Sequence, residues 1–375
     1  MLSPMFRFYA IVFFTFCSFL KGNAQIVEAF PASTVSYKVV QDDPKDLNHI
    51  WIHIQPFTVD AMRMNTAIGS GVDVTYLPIP RLELKGGIRG NLIDAFDLQR
   101  AAANRNAFIT TQESKREQGK MILTNSFARF YAAEIGGTYA IKDVIKDGTT
   151  KIILADQAIP GNTAMVDKIE VNAKIRQIIG ARLGFNTMST TASLQNALED
   201  QNVVLKGDKG TLIDPKGTSS ANGFKTADNN NLLYSNFSSS GIYIGASMQR
   251  IKNVTIKTER NGILANNTII TYYADLILNP WTSLQNIEAR NVGKEGSETF
   301  DSSPLKLNKI GGRAGFELRY NQASLISIGA EIGYRPAISG QGMYAMLKLS
   351  FPTFSFGATG QKVATNVGKT QSLSQ

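Results

Sequence analysis

The stretch Lys168-Ile169-Glu170-Val171-Asn172-Ala173-Lys174-Ile175-Arg176-Gln177-Ile178-Ile179-Gly180-Ala181-Arg182-Leu183-Gly184-Phe185 alternates along its length. Ile169, Val171, Ala173, Ile175, Ile179, Ala181, Leu183 and Phe185 fall on one face; Lys168, Glu170, Asn172, Lys174, Arg176 and Arg182 fall on the other. A period of two is the mark of a β-strand, because successive Cβ atoms point to opposite sides. A strand of about 18 residues is predicted, where a soluble strand has about 5–6.

The same pattern recurs on both sides of it. In residues 81–89, Leu82, Leu84, Gly86 and Ile88 oppose Arg81, Glu83, Lys85, Gly87 and Arg89. Toward the C-terminus, Ile310, Gly312, Ala314, Phe316, Leu318 and Tyr320 oppose Gly311, Arg313, Gly315, Glu317 and Arg319. After a turn at 321–324, Ile326, Ile328, Ala330, Ile332 and Tyr334 oppose Ser327, Gly329, Glu331, Gly333 and Arg335. Met343, Ala345, Leu347, Leu349 and Phe351 then oppose Tyr344, Met346, Lys348 and Ser350. Further strands are predicted at 50–57, 67–77, 127–141, 242–256 and 270–279.

Such strands bury one apolar face either inside a soluble sandwich or barrel, or outward against lipid. The strand length favours lipid. So do the aromatics Tyr76, Tyr139, Phe185, Tyr320, Tyr334 and Phe351, which close their apolar faces where an interfacial girdle would lie. The expected fold is all-β: an antiparallel transmembrane β-barrel of about 12 strands, with 10–14 allowed, short periplasmic turns and long extracellular loops. Residues 78–80 and 321–324 are the short turns, which puts 91–125, 186–240 and 281–304 outside. The polar run 215–231 reads as mobile. Ten strands account for the chain except 142–167, too long for a periplasmic turn. Counting 150–156 and a neighbour as strands gives twelve.

The ends carry their own signals. Arg7, the apolar run 8–20 and the small residues of Gly22-Asn23-Ala24 read as a secretory signal peptide cleaved after Ala24, leaving Gln25 first. Cys17, the single cysteine, lies in that run behind Phe16, which does not suit lipoprotein processing. The mature chain would then have no thiol for a disulfide or metal site. The expected organisation is a signal peptide at 1–24, a periplasmic segment at 25–48, the barrel at 49–356 and a tail at 357–375. No run approaches the ~18 apolar residues of a helical span. The mean hydropathy of −0.10 suits strands that touch lipid at every second residue. The net charge of +9 becomes about +7 without Arg7 and Lys21. The basic residues are scattered singly, so nucleic acid is not an expected partner.

The signal ending in Asn23-Ala24-Gln25, the alternating strands and the closing Tyr344-Ala345-Met346-Leu347-Lys348-Leu349-Ser350-Phe351 resemble bacterial outer-membrane β-barrels of the Bacteroidota type. The resemblance implies the outer membrane of a Gram-negative cell, with outer-membrane lipid as a partner. It also implies a last strand read by the barrel-assembly machinery. It carries no functional residue with it.

No constellation points to chemistry. His49 and His53 lie on a strand, about 13 Å apart at ~3.3 Å per residue, too far to grip one ion. They are the only histidines able to serve a serine nucleophile, and Gly69-Ser70-Gly71 is not a nucleophile elbow. Gly207-Asp208-Lys209-Gly210-Thr211 lacks phosphate-loop spacing, and Asp228-Asn229-Asn230-Asn231 lacks the Gly and distal Glu of a calcium loop. No cofactor, metal or enzymatic activity is expected.

The informative set is the polar row expected to line the lumen: Arg81, Glu83, Lys85, Arg89, Glu134, Glu170, Lys174, Arg176, Arg182, Arg313, Glu317, Arg319, Glu331 and Arg335. Lys168 and Lys348 share it, as do Asp73 and Asp275, and cations outnumber acids. One reading is an interlocked ion-pair plug, since a charge away from water needs a partner. It makes the chain a structural or accessory barrel in an envelope complex, meeting other envelope proteins through its loops or tails. The alternative is a narrow anion-favouring pore or solute transporter. A barrel enzyme acting on lipid is the third reading.

Overall fold

Ten of the alternating segments hydrogen-bond edge to edge and return on themselves, leaving no open sheet edge in the wall. This computed structural model describes residues 37–105, 108–110, 120–153, 168–214, 223–225, 233–259, 261–291, 296–321 and 326–356. The barrel strands are β1 (Ile50–Met62), β2 (Thr66–Ile79), β3 (Leu82–Gly90), β4 (Tyr131–Ile153), β5 (Lys168–Ser193), β6 (Tyr234–Lys252), β7 (Thr268–Leu284), β8 (Ile310–Tyr320), β9 (Ser327–Tyr334) and β10 (Met343–Phe356). Each pairs antiparallel with the next, and β10 closes on β1 from Ile50↔Phe356 to Met62↔Tyr344. The expected signal peptide with its cleavage site, the tail 357–375, the run 228–231 and most of 215–231 lie outside the described residues.

The barrel has ten strands, not twelve. In the segment read as extra strands, residues 142–153 continue a strand already counted, and 154–167 lie outside the described residues. β4 and β5 stay paired from Tyr131↔Ser189 to Ile153↔Lys168, while β3 leaves β4 at Leu82↔Tyr139 and β6 leaves β5 at Lys252↔Ile175. Residues 142–153 and 168–175 therefore project past the wall, and the part paired only with itself, 146–153 with 168–175, is a two-stranded arm about 26 Å long at ~3.3 Å per residue. A three-stranded sheet of Tyr37–Asp42, Val254–Thr258 and Gly262–Asn266 covers one face of the arm, burying Ile152, Val171 and Ala173 against Val254 and Ile256. The predicted strand 242–256 thus breaks in two: β6 stops at Lys252, and Val254–Thr258 belongs to the arm.

An even strand number brings the first and last residues of the barrel wall, Ile50 and Phe356, to one mouth. That mouth also holds the tight turn at Pro80-Arg81. The opposite mouth carries the long connections 91–130, 194–233 and 285–309. β5 runs on to Ser193 and β6 begins at Tyr234, so the middle loop is shorter than the predicted 186–240.

The wall is apolar outside. On β4, Tyr131 and Tyr139 bracket Ala133, Ile135 and Gly137, with no charge between them. The eight steps from Tyr131 to Tyr139 cover about 26 Å of strand, which at a barrel tilt of about 40° is about 20 Å of height, most of the ~25 Å apolar band of a membrane barrel. Ile135 is 66% exposed and Leu183 61%. Trp281 and Phe185 stand with ring centroids 6.5 Å apart on the loop-mouth side; Tyr76, Phe351 and Phe354 are exposed on the other.

Candidate functional site

The lumen is built by the alternate residues of all ten strands. On β1 the alternation slips. Trp51, His53 and Gln55 point inward, and a register shift between Gln55 and Thr58 then brings Thr58, Asp60 and Met62 inward. Pro56 sits in the slip, at a place where a strand tolerates the loss of an N–H. The bulge brings a carboxylate into the lumen that strict alternation places outside.

Charges fill the middle of the barrel as a network of three groups of ion pairs. Asp275 accepts from Arg182 Nε (2.9 Å) and Arg313 Nε (2.8 Å). Arg313 reaches on to Glu134 through both terminal nitrogens, at 2.6 and 2.9 Å, and lies 3.4 Å from Glu331. Glu331 accepts from the hydroxyls of Tyr273 (2.7 Å) and Tyr344. Asp60 joins Arg335 (2.5 Å) to Arg89 (2.9 Å). Nearer the terminal mouth, Glu317 takes Lys85, Lys348 bonds Asp73 (2.7 Å), and Arg319 bonds Glu83 (2.6 Å). The network contains seven cations and seven carboxylates.

Three tyrosines separate the guanidinium planes. Arg182 lies 4.3 Å from the Tyr273 ring centroid, Arg313 4.5 Å from that of Tyr243 and Arg335 3.7 Å from that of Tyr344. Stacking of this kind adds to each ion pair when water is excluded. Inward glycines make the room. A Cβ on Gly136 or Gly184 would overlap the Tyr243 hydroxyl, and one on Gly245 would overlap the Asp275 carboxylate. Gly184→Val is therefore expected to destabilise the barrel by about 1–3 kcal/mol through overpacking. The measurement is the temperature at which the folded form is lost in a gel-shift assay in detergent; an unchanged temperature would refute the tight fit.

Both mouths are closed. At the loop mouth, Met62, Met188, Tyr344 and Met346 of the upper lumen form one apolar cluster with Leu194, Leu198, Leu205, Ile213, Ile287 and Phe300 of the connections. The loops thus fold into a cap over the barrel. A four-stranded sheet of Ser297–Phe300, Ile287–Asn291, Lys120–Leu123 and Phe108–Thr110 is part of it. At the terminal mouth, Trp51, Ile251, Ile269 and Leu47 form an apolar floor, with Arg319 4.9 Å from the Trp51 ring centroid. Residues 43–48 cross beneath it. Asn253 Nδ2 donates to the carbonyls of Asp43 (3.0 Å) and Asp46 (2.6 Å), and Asn48 N–H donates to Asn321 Oδ1 (3.0 Å). The lumen holds voids of about 40 Å³, two of them bordered by Arg89 and Glu134. Each has room for a few waters, far below the ~300–1,000 Å³ of a small-molecule site.

Glu83, Lys85, Arg89, Glu134, Arg182, Arg313, Glu317, Arg319, Glu331 and Arg335 meet in this network. Four residues expected with them lie elsewhere. Arg81 is exposed in the turn between β2 and β3; Glu170 and Lys174 are exposed on the arm, as is Lys168. Arg176 sits at the base of the arm, bonded to Asp143 (2.7 and 2.8 Å) and the Pro80 carbonyl (3.2 Å). For Glu170 and Lys174 the reason is that alternation continues past the wall, where the polar face meets water; Arg81 falls in the turn, and Arg176 is buried at the edge of the wall by its pairing with Asp143. The expected cation excess disappears with them, because Asp60 enters and these cations leave. Asp60 carried a readable signal, the two-residue stutter Pro56-Phe57 in an otherwise regular strand. Tyr243 and Tyr273 carried none beyond their inward parity.

No family model and no curated protein matches the chain. Among solved structures, the chain is similar at 9% identity and a TM-score of 0.19 to the TodX deltaS2S3 mutant monoaromatic hydrocarbon channel, covering 82% of this chain and 91% of that one. It is similar at 7% identity and 0.16 to the CymD monoaromatic hydrocarbon channel (82% and 87% covered). It is similar at 8% identity and 0.13 to OmpT, an outer membrane protein of Vibrio cholerae (84% and 99% covered). These similarities are too low to transfer a property to this chain.

Proposed function

We propose that this protein is a closed outer-membrane β-barrel that serves as an anchor, holding a folded cap outside the cell and a β-arm in the periplasm. An exterior that is apolar through its middle band around a charged interior is favoured only where that band meets hydrocarbon, which supports the membrane location. The long connections, placed outside, and the first and last residues of the wall, placed at the periplasmic mouth, follow the usual orientation of such barrels. Cap and arm are then the surfaces offered to other envelope proteins, which gives the barrel an accessory role.

One observation carries the reading over that of a pore: the lumen charges are equal in number, mutually paired and sealed between two apolar layers. An anion-favouring lumen needs cations free to meet a solute, and here the cations of the network face carboxylates. Purified protein in planar lipid bilayers is expected to give no steady unitary conductance. A reproducible single-channel step with anion preference would overturn the anchor and restore the pore.

A further inference from the structure

Between β3 and the cap the chain leaves the wall and returns to it. Asn91 is still in the wall: its N–H donates to the Phe130 carbonyl (3.1 Å) and its Nδ2 to the Ile68 carbonyl (3.0 Å). Asp97 is back in the wall, bridged to Ala67, its carboxylate accepting from Phe130 N–H (2.7 Å) and Asn65 Nδ2 (2.8 Å). Residues 92–96 between these anchors make an excursion ending in the 3-10 turn Asp94–Phe96. It does not enter the lumen, since Leu92 is 73% exposed, Ile93 57% and Phe96 47%. Asp94 fixes its side. The carboxylate pairs with Arg129 (3.2 Å) and with Arg100. Arg129 is half exposed and stands two residues before Tyr131, on the outward parity of β4.

We infer that residues 92–96 are a lipid-seated foot, with Leu92, Ile93 and Phe96 set among the acyl chains of the outer leaflet. The inference rests on the outer-membrane reading above. Its support is continuity: the foot is tied to Arg129, two residues beyond Tyr131 on the cap side, so it borders the loop-mouth end of the apolar band and adds three large exposed apolar side chains there. The Asp94–Arg129 pair pins it there, with the guanidinium at headgroup height, a depth at which a charged tip stays hydrated above an apolar stem.

The test uses single-cysteine variants in a Cys17→Ser background, spin-labelled and reconstituted in phosphatidylethanolamine–phosphatidylglycerol vesicles. Labels at Leu92→Cys and Phe96→Cys are compared with Leu183→Cys in the apolar band and Asp301→Cys on the exposed cap. The readout is collision with oxygen, which concentrates in lipid, relative to a water-soluble nickel chelate. Positions 92 and 96 are expected to match 183, with a ratio several-fold above that at 301. If 183 reports lipid while 92 and 96 behave like 301, the foot is wrong and the barrel reading stands. If 183 also behaves like 301, the membrane reading fails and the foot with it.

Discussion

Asp275→Ala is expected to lower the stability of the barrel by about 3–5 kcal/mol, the range for removing one partner of a buried charge pair. The Asp275 side chain is fully buried and holds both Arg182 and Arg313. Arg313 keeps Glu134 after the substitution, but Arg182 has Asp275 as its ion-pair partner among the described residues. The stranded guanidinium sits between tyrosines, away from water. Urea unfolding in detergent micelles measures the loss. Adding Arg182→Met to Asp275→Ala removes the stranded charge and is expected to recover a substantial part of it, because the two changes are strongly coupled. A single variant within about 0.5 kcal/mol of the parent would show that the pair carries no weight.

Ile135→Arg is the second large effect, and it acts on the other face. Ile135 lies midway between Tyr131 and Tyr139 on the exterior of β4. An arginine at the midplane of a membrane barrel costs about 2–4 kcal/mol, falling to ~0–1 near the interfaces. Ile135→Arg should therefore reduce insertion into vesicles strongly, and the same change at Met343, beside the loop mouth, should be tolerated. Equal tolerance at both positions would mean that the exterior does not face hydrocarbon. This outcome is independent of the lumen, so the two experiments test the inside and the outside separately.

The sequence carried the wall more clearly than its limits. Leu82, Leu84 and Ile88 outward with Glu83, Lys85 and Arg89 inward is a pattern that lipid and a paired lumen both enforce, so it repeats and can be read. The end of the wall is another matter. Val171 and Ala173 keep the parity of Leu183 but bury against Val254 and Ile256 of the arm sheet. Glu170 and Lys174 keep the parity of Arg182 but meet water. Alternation reports that a strand has two faces, not what each face touches, so neither the arm nor the strand count was legible. Asp60 was hidden by the opposite problem: a bulge changes parity within one strand, and only Pro56 marks it.

The ion pairs also join distant parts of the chain. Arg335 and Asp60 are 275 residues apart, as are Lys348 and Asp73; Arg319 and Glu83 are separated by 236. Asp60, Asp73, Glu83 and Lys85 of the first three strands thus find counterparts on the last three or next to them. A partly built sheet would bring unmatched charges toward hydrocarbon, where each is strongly disfavoured. Zipping β10 against β1 removes that obstacle and completes the wall together. On the proposed membrane location, the same contacts that fill the finished barrel would favour insertion of the whole chain over insertion strand by strand.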